Sequence, residues 1–439
     1  MNDFVVNALG RELSGAPGWL TALNRQGRTA GAGKTLPTIR TEDWKYTSLR
    51  PLQDGGYAAA PEPLRASVEP LATHFEVPDL DALCMVFVNG QFSESLSSSD
   101  AMPEGVSLVP FSRASEAEAA LIGEHLDSLA NPEGRLFTAL NDSWLSEGLF
   151  LRVAENVRIE KPLQLVWLTT AQGENFGFAQ RLLVLMEQGS EATVIEHFTS
   201  TDDAQNAFCN GVTELVIGAD ARLDHYRLHL EEAGALHVGN VCASLDRNAR
   251  LNGFHMALGG RLKRIDLAVR HRGEGSHCEL NGVYLPRNRE HVDYHTVLEH
   301  EVPHTSSEET FRGIVADQAR AVFNGRIHIH PGAQKTQAHL TNRNLLTSNQ
   351  AEVDTKPELE IYADDVQCSH GATVAQLDAS QLHYLRTRGV SEQEARVLLN
   401  FGFINELLNR AGSEPVRQYL RPRLASLFAR DPNLARHLL

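Results

Sequence analysis

The chain is short of the groupings from which small metal and redox modules are built. Its five cysteines stand at 84, 209, 242, 278 and 368, and no two form a C-x-x-C pair. That excludes a zinc ribbon and a thioredoxin-like motif. An odd number of scattered thiols without a disulfide framework points to a reducing compartment, and so to a cytoplasmic protein. No run of about 18 apolar residues occurs, so no membrane span is expected. The opening MNDFVVNALGRELSG lacks the basic start and apolar core of a secretory signal. Positive charge is in deficit, with 40 Lys and Arg against 56 Asp and Glu and a net charge of −16. Such a chain is a poor partner for nucleic acid or an anionic membrane. What remains is the make-up of a soluble globular protein: 439 residues, 42% hydrophobic and 22% charged, with room for two or three domains.

Residues 1–56 read as helix and loop. Phe4, Val5, Ala8 and Leu9 make one short apolar face, and Trp19, Leu20 and Leu23 another. The Gly33-Lys34-Thr35 tripeptide resembles the end of a phosphate-binding loop, but Arg28 stands where that motif requires glycine and no apolar strand precedes it. The segment GRTAGAGKTLP is expected to be a flexible connector. In 41-TEDWKYTSLRPL-52, Trp44, Tyr46 and Leu49 are placed to pack on a neighbouring surface. Residues 53–80, rich in Pro, Ala and Gly, read as a linker.

From Leu83 the period becomes two, and Asn89-Gly90 signals a hairpin. Residues 112–149 return to helical spacing through Ala119, Ile122, Leu126 and Leu129, then Leu136, Leu140, Trp144 and Leu145. Residues 149–377 are nearly all strand-like, in short segments parted by polar or Gly breaks. The breaks at 189–192, 219–222, 247–250 and 273–276 recur roughly every thirty residues. Short strands at a fixed period predict a solenoid, here a β-helix. The tail is helical. Asp378 opens a helix over 379–388, Ser391 with Glu394 opens 392–410 as a capping box, and Ser413 opens a third. The fold class expected is mainly β. It divides into a helical and mixed region with a linker over 1–148, a β-helix core over 149–377 and a helical domain over 378–439.

Four groups of residues carry chemistry. Cys368 and His370 are two apart in an extended stretch, so thiol and imidazole project together, and both are ligands for iron and zinc. Two ligands do not complete a tetrahedral site, and the pair also fits a buried thiol beside a hydrogen-bonded imidazole. The stretch 300-HEVPH-304 matches a zinc-protease motif as text and gives the alternative reading, a zinc metallohydrolase using His300, Glu301 and His304. That chemistry needs both His on one helical face, whereas Pro303 biases Val302 away from helix and 292–300 alternates like a strand. Histidine is also crowded elsewhere. His328 and His330 share a strand face, and His291 and His295 flank Asp293, which fits either an iron or zinc surface or stacking along a solenoid. Asp364-Asp365 resembles the carboxylate pair of sugar-cleaving β-helices, but neighbours in a strand face opposite ways.

TEDWKYTSL, the repeating strand body, ELEIYADDVQCSHGATVAQLD and YLRTRGVSEQEARVLLNFGF together resemble the SufB/SufD family of iron–sulfur cluster assembly. The likeness spans essentially the whole chain. Trp44-Lys45-Tyr46 and the lack of an N-terminal cysteine cluster place it nearer the SufD branch. The resemblance implies a right-handed parallel β-helix with helical ends, acting as a non-catalytic scaffold. It implies pairing with SufB through the core and binding of the ABC-type ATPase SufC through the C-terminal helices. The apolar set Val397, Leu398, Phe401, Phe403, Ile404 and Leu407 would then be the docking face. On motif matching, His370 corresponds to a ligand of a nascent iron–sulfur cluster and Cys368 to its neighbouring cysteine, with the remaining ligands from SufB. A role in iron acquisition, reduced flavin in the complex, and a homodimer when the chain is alone are further implications.

Overall fold

A computed structural model describes residues 4–13, 15–61, 69–98, 102–201, 205–231 and 234–429. Residues 62–68 of the expected linker and 430–439 of the tail lie outside the described residues. The alternating segments fold into two parallel sheets that the chain visits in turn. One runs from Leu83–Val88 and Leu163–Thr169 through every second strand to Gln337–Leu346 and Gln367–Ala375. The other runs from Leu149–Val153 through the intervening strands to Arg320–Ile329 and Glu352–Ile361. Each strand pairs in parallel with the one two ahead, which is a β-solenoid. Most strands run eight to eleven residues, longer than the apolar segments suggested. Polar residues on the outer face extend a strand without altering the ladder.

The repeat has a backbone cause. Asn156, Gly189, Asp220, Asn248, Gly275, His304 and Lys335 all have φ between 57° and 76°. They form one column at one corner, and each donates its amide to a carbonyl of the next coil, as in Gly189 N to Ala219 O at 2.9 Å and Asp220 N to Arg247 O at 2.7 Å. A left-handed residue turns the chain sharply, so small and polar types gather there. Inward residues of both sheets form one continuous core from Leu83 to Leu340. Leu83–Val88 therefore starts the solenoid well before residue 149, and Asn89-Gly90 turns it into the hairpin strand Gln91–Phe92.

The outer faces are covered differently. Helix Leu136–Trp144 and the N-terminal helices lie on one sheet, over Phe150, Leu183, Phe208 and Leu236. Arg181, fully buried, anchors that layer through Asp142 and Glu214, each at 2.8 Å. Gly27 to Gly31, expected as a flexible connector, complete the helix Thr21–Gly31. A Cβ on residue 27 would lie 2.6 Å from that of Asp142, so glycine there serves close helix packing. The helix opened by Ser115 stops at His125, and Leu129 packs in a separate cluster with Val212 and Cys242. On the opposite sheet, helices Glu392–Leu408 and Glu414–Phe428 cover Ile195, Tyr226, Leu228, Phe254, Met256, Val283 and Ile314. The capping box of Ser391 and Glu394 is present.

Candidate functional site

The two ends of the solenoid differ. At the first, antiparallel strands Gln91–Phe92 and Val106–Pro110 close the sheets. At the other, Glu352–Ile361 and Gln367–Ala375 are edge strands of their sheets. Ile361, Tyr362 and Val374 are exposed there. A long parallel edge beside exposed apolar residues is a template for another strand.

Cys368 and His370 sit on this last coil. In the parallel register Cys368 lies beside Ala338 and His370 beside Leu340. Both neighbours are buried in the core, so thiol and imidazole occupy the inward-facing column. Cys368 is half-buried against the core, and burial pushes its thiol above the usual range. His370 is exposed. Ser369, between them, faces outward and lies 2.8 Å from His339 Nδ1. Among the other cysteines Cys209, Cys242 and Cys278 are fully buried, and burial raises Cys84 and Cys242 to about 11. Such thiols resist ionisation and are poor ligands or nucleophiles without a partner.

The rival groups are brought to other uses. His300 ends the strand His291–His300, and His304 occupies a left-handed turn, so HEVPH forms no helix. His300 Nδ1 lies 2.7 Å from Thr305 Oγ1 and Nε2 lies 3.0 Å from Ser307 Oγ, which engages both ring nitrogens. The zinc-hydrolase geometry is therefore not formed, because Pro303 and the alternating approach keep the segment extended. Asp364 accepts from Gln334 at 2.8 Å, and Asp365 pairs with Lys335, so both serve the last turn.

The TEDWKYTSL segment packs on the outer face of the solenoid. The Arg264 guanidinium lies 4.6 Å from the Trp44 ring centroid and 2.7 Å from Asp293, and it donates to Asp43 O at 2.8 Å. Thr47 donates to Asp293, His291 Nε2 lies 2.9 Å from Thr47 Oγ1, and His295 lies 3.2 Å from Asp293. The His291, Asp293 and His295 group is thus a docking device for this segment. Sequence alone shows the aromatic pattern but not the buried arginine beneath it.

Most of the C-terminal apolar set is inside the chain. Val397, Phe401, Ile404 and Leu407 are buried, the last three against the solenoid's own sheet. Phe403 is half-buried with the Arg312 guanidinium 5.1 Å from its ring centroid. Leu398 alone of the six is exposed, at 38%. The face is wide because it covers a sheet, so five of the six side chains are engaged within the chain rather than free for a partner.

Two groups of side chains have metal-ligand spacing among the described residues: His229, Glu231 and His237, and Glu299, His328 and His330. The first reads in sequence as H-x-E followed by a distant His, a spacing too loose to single out. A cleft of about 390 Å³ borders Glu231, lined also by Leu258, Arg287, Pro422, Arg423 and Leu427. With no aromatic side chain for a ring to stack on, its lining does not fit a flavin. Among the described residues no helix is long and apolar enough to cross a membrane.

Comparison with known proteins agrees with this architecture. Residues 168–403 match the model of the SUF system FeS cluster assembly SufBD core domain, and residues 18–165 that of the SufBD protein N-terminal region. Iron-sulfur cluster assembly protein SufD of Escherichia coli K12 is 33% identical over 91% of this chain and 90% of its own length. The SufD protein of Bacillus subtilis is 25% identical over 92% of this chain and 93% of its own. The SufB protein of the same organism is 23% identical over 78% and 74% respectively.

Proposed function

The chain belongs to the SufBD family of the SUF iron–sulfur cluster assembly system, and from that premise we propose that it is the SufD-type scaffold subunit of a cluster-assembly complex. The observation that carries this reading is the open end of the solenoid, where Cys368 and His370 occupy core-facing positions that no further coil covers. A homologous SufB-type solenoid meeting this end would cover Ile361, Tyr362 and Val374 and pair with the free strand edges. It would also supply the donors that thiol and imidazole lack for a nascent cluster, which is cargo passing through the interface. The chain itself contributes surface and ligands, and an ABC-type ATPase of the SufC kind supplies the energy for moving the two cores.

The ATPase docking site is best placed on the parts of the C-terminal helices that remain outward. Leu398 on Glu392–Leu408 and Tyr384 on Ala379–Thr387 are the exposed large apolar residues there. When the chain is alone, the same open edge would pair with a second copy, giving a homodimer. A role in iron acquisition follows if ferrous iron enters at Cys368 and His370 before the cluster is built.

The test is co-expression of the chain with SufB-type and SufC-type partners, anaerobic purification, and cluster reconstitution. The expected result is a ternary complex in which His370→Ala leaves assembly of the subunits intact and abolishes cluster formation. Recovery of the chain without either partner, or full cluster formation by the His370→Ala complex, would overturn the reading.

A further inference from the structure

One ligand-rich corner inside the solenoid is used by nothing described above. His229 ends the strand Arg222–His229, His237 is the second residue of Leu236–Leu245, and Glu231 lies in the connection between them. All three are buried. None of the four imidazole nitrogens makes a hydrogen bond, nor does Glu231 Oε1. Buried polar groups left unpaired by protein are uncommon and mark places where water or an ion binds.

The distances favour an ion. Glu231 Oε1 lies 3.6 Å from His229 Nδ1 and 3.6 Å from His237 Nδ1. That is longer than a hydrogen bond. It is close to the separation of about 3.4 Å between two donors bound at about 2.0–2.2 Å to one tetrahedral ion. The surroundings hold the donors in place. The Phe198 ring stacks on His229 at 4.1 Å between centroids, and the two imidazoles meet edge to face at 4.6 Å. Lys263 Nζ stands 2.7 Å from Glu231 Oε2, which orients the carboxylate and leaves Oε1 toward the histidines. A Cβ on residue 239 would lie 2.7 Å from His237 Nε2, so Gly239 gives that ring its room.

The donor set suits a metal. Two imidazole nitrogens and one carboxylate oxygen disfavour magnesium or calcium, which require several oxygen ligands. They suit a borderline divalent ion. Glu231 also borders the cleft against Pro422, Arg423 and Leu427, which offers the ion a route and a water to complete its shell.

We propose that His229, Glu231 and His237 form a binding site for one borderline divalent transition-metal ion, zinc or ferrous iron, separate from the open end that carries Cys368 and His370. This site belongs to the isolated chain and does not depend on the assembly reading.

The test uses the full chain carrying Cys368→Ala and His370→Ala, stripped with chelator and titrated with Co²⁺ as probe, followed by its visible spectrum. Anomalous diffraction at the zinc edge then locates a bound Zn²⁺. One equivalent of Co²⁺ with nitrogen and oxygen ligation is expected, and a zinc peak between the two Nδ1 atoms. Glu231→Gln, which keeps the contact with Lys263, and His229→Phe, which keeps the stack on Phe198, should each abolish that equivalent while thermal melts show a folded chain. Any of three outcomes would sink the proposal: no ion bound by the folded parent, full binding retained in both variants, or a zinc peak at Glu299, His328 and His330 instead.

Discussion

His370 lies in register with Leu340 on the last ladder of the solenoid, yet Leu340 is 1% exposed while His370 is exposed. The two side chains occupy the same inward column. They differ only in that Leu340 has a coil beyond it. A polar imidazole placed where the column would otherwise continue is poorly suited to the core and well suited to an interface. His370→Ala should therefore change stability by no more than about 0.5 kcal/mol, as for an exposed position. Cys368→Ala should do little more. Urea melts of the isolated chain check this, and a loss of several kcal/mol would mean that the pair is structural.

The Trp44 segment depends on a buried charge. Arg264→Met leaves Asp293 buried without its main partner and should cost about 3–5 kcal/mol. Trp44→Ala loses the ring over the guanidinium and should cost less, with a cation–π share of about 0.5–2 kcal/mol. Chemical denaturation of both variants gives the order. The reverse order would show that Arg264 is not the anchor.

Stability should fall as pH drops from 7 to 5, and histidines should drive the fall. Burial depresses His197 to about 3, His291 to about 4 and His300 to about 3. Below the unfolded value near 6.5 the unfolded chain binds protons that these folded rings refuse. Their stabilisation is present above that value and is lost as pH falls toward the folded ones, by up to about 1.4 kcal/mol per pH unit for each ring. Glu196, depressed to about 2 against burial by Arg227 and His225, acts only below its unfolded value of 4.5. Urea midpoints at pH 7, 6 and 5 test this, and a flat profile would refute it.

Truncation after Gly389 should aggregate the protein. Phe401, Ile404, Leu407 and Leu408 would no longer cover Tyr226, Phe254 and Ile314, leaving a large apolar sheet face in water. Leu398→Glu changes an exposed position and should leave the melt unchanged while weakening capture of the proposed SufC-type ATPase. Light scattering and a pull-down separate the two effects. A monodisperse truncation would show that the helices are not part of the core.

His304→Gly should leave stability within about 1 kcal/mol, since relief of the left-handed strain opposes the added chain entropy. His300→Ala removes a ring packed at 4.4 Å on His271 and should destabilise by about 2 kcal/mol or more. A metalloprotease site would instead lose bound zinc in both variants, which metal analysis of each would reveal.

What the sequence determined by itself was local. Period-two alternation, the Asn89-Gly90 hairpin, the capping box of Ser391 and Glu394, and the thirty-residue recurrence of turns depend on neighbours a few residues apart. Backbone sterics and cap chemistry act over that range, so these features could be read directly. The side-by-side projection of Cys368 and His370 was legible for the same reason. Tertiary structure decided everything that rests on stacking between coils. It made Gly27–Gly31 a packed helix end rather than a connector, turned the wide face of Glu392–Leu408 inward, and placed Arg264 under Trp44. It also brought His229, Glu231 and His237 around one point and left His370 at an uncovered edge. These outcomes depend on which residues of different coils fall into register, and burial energy, which no local pattern encodes, selects that register.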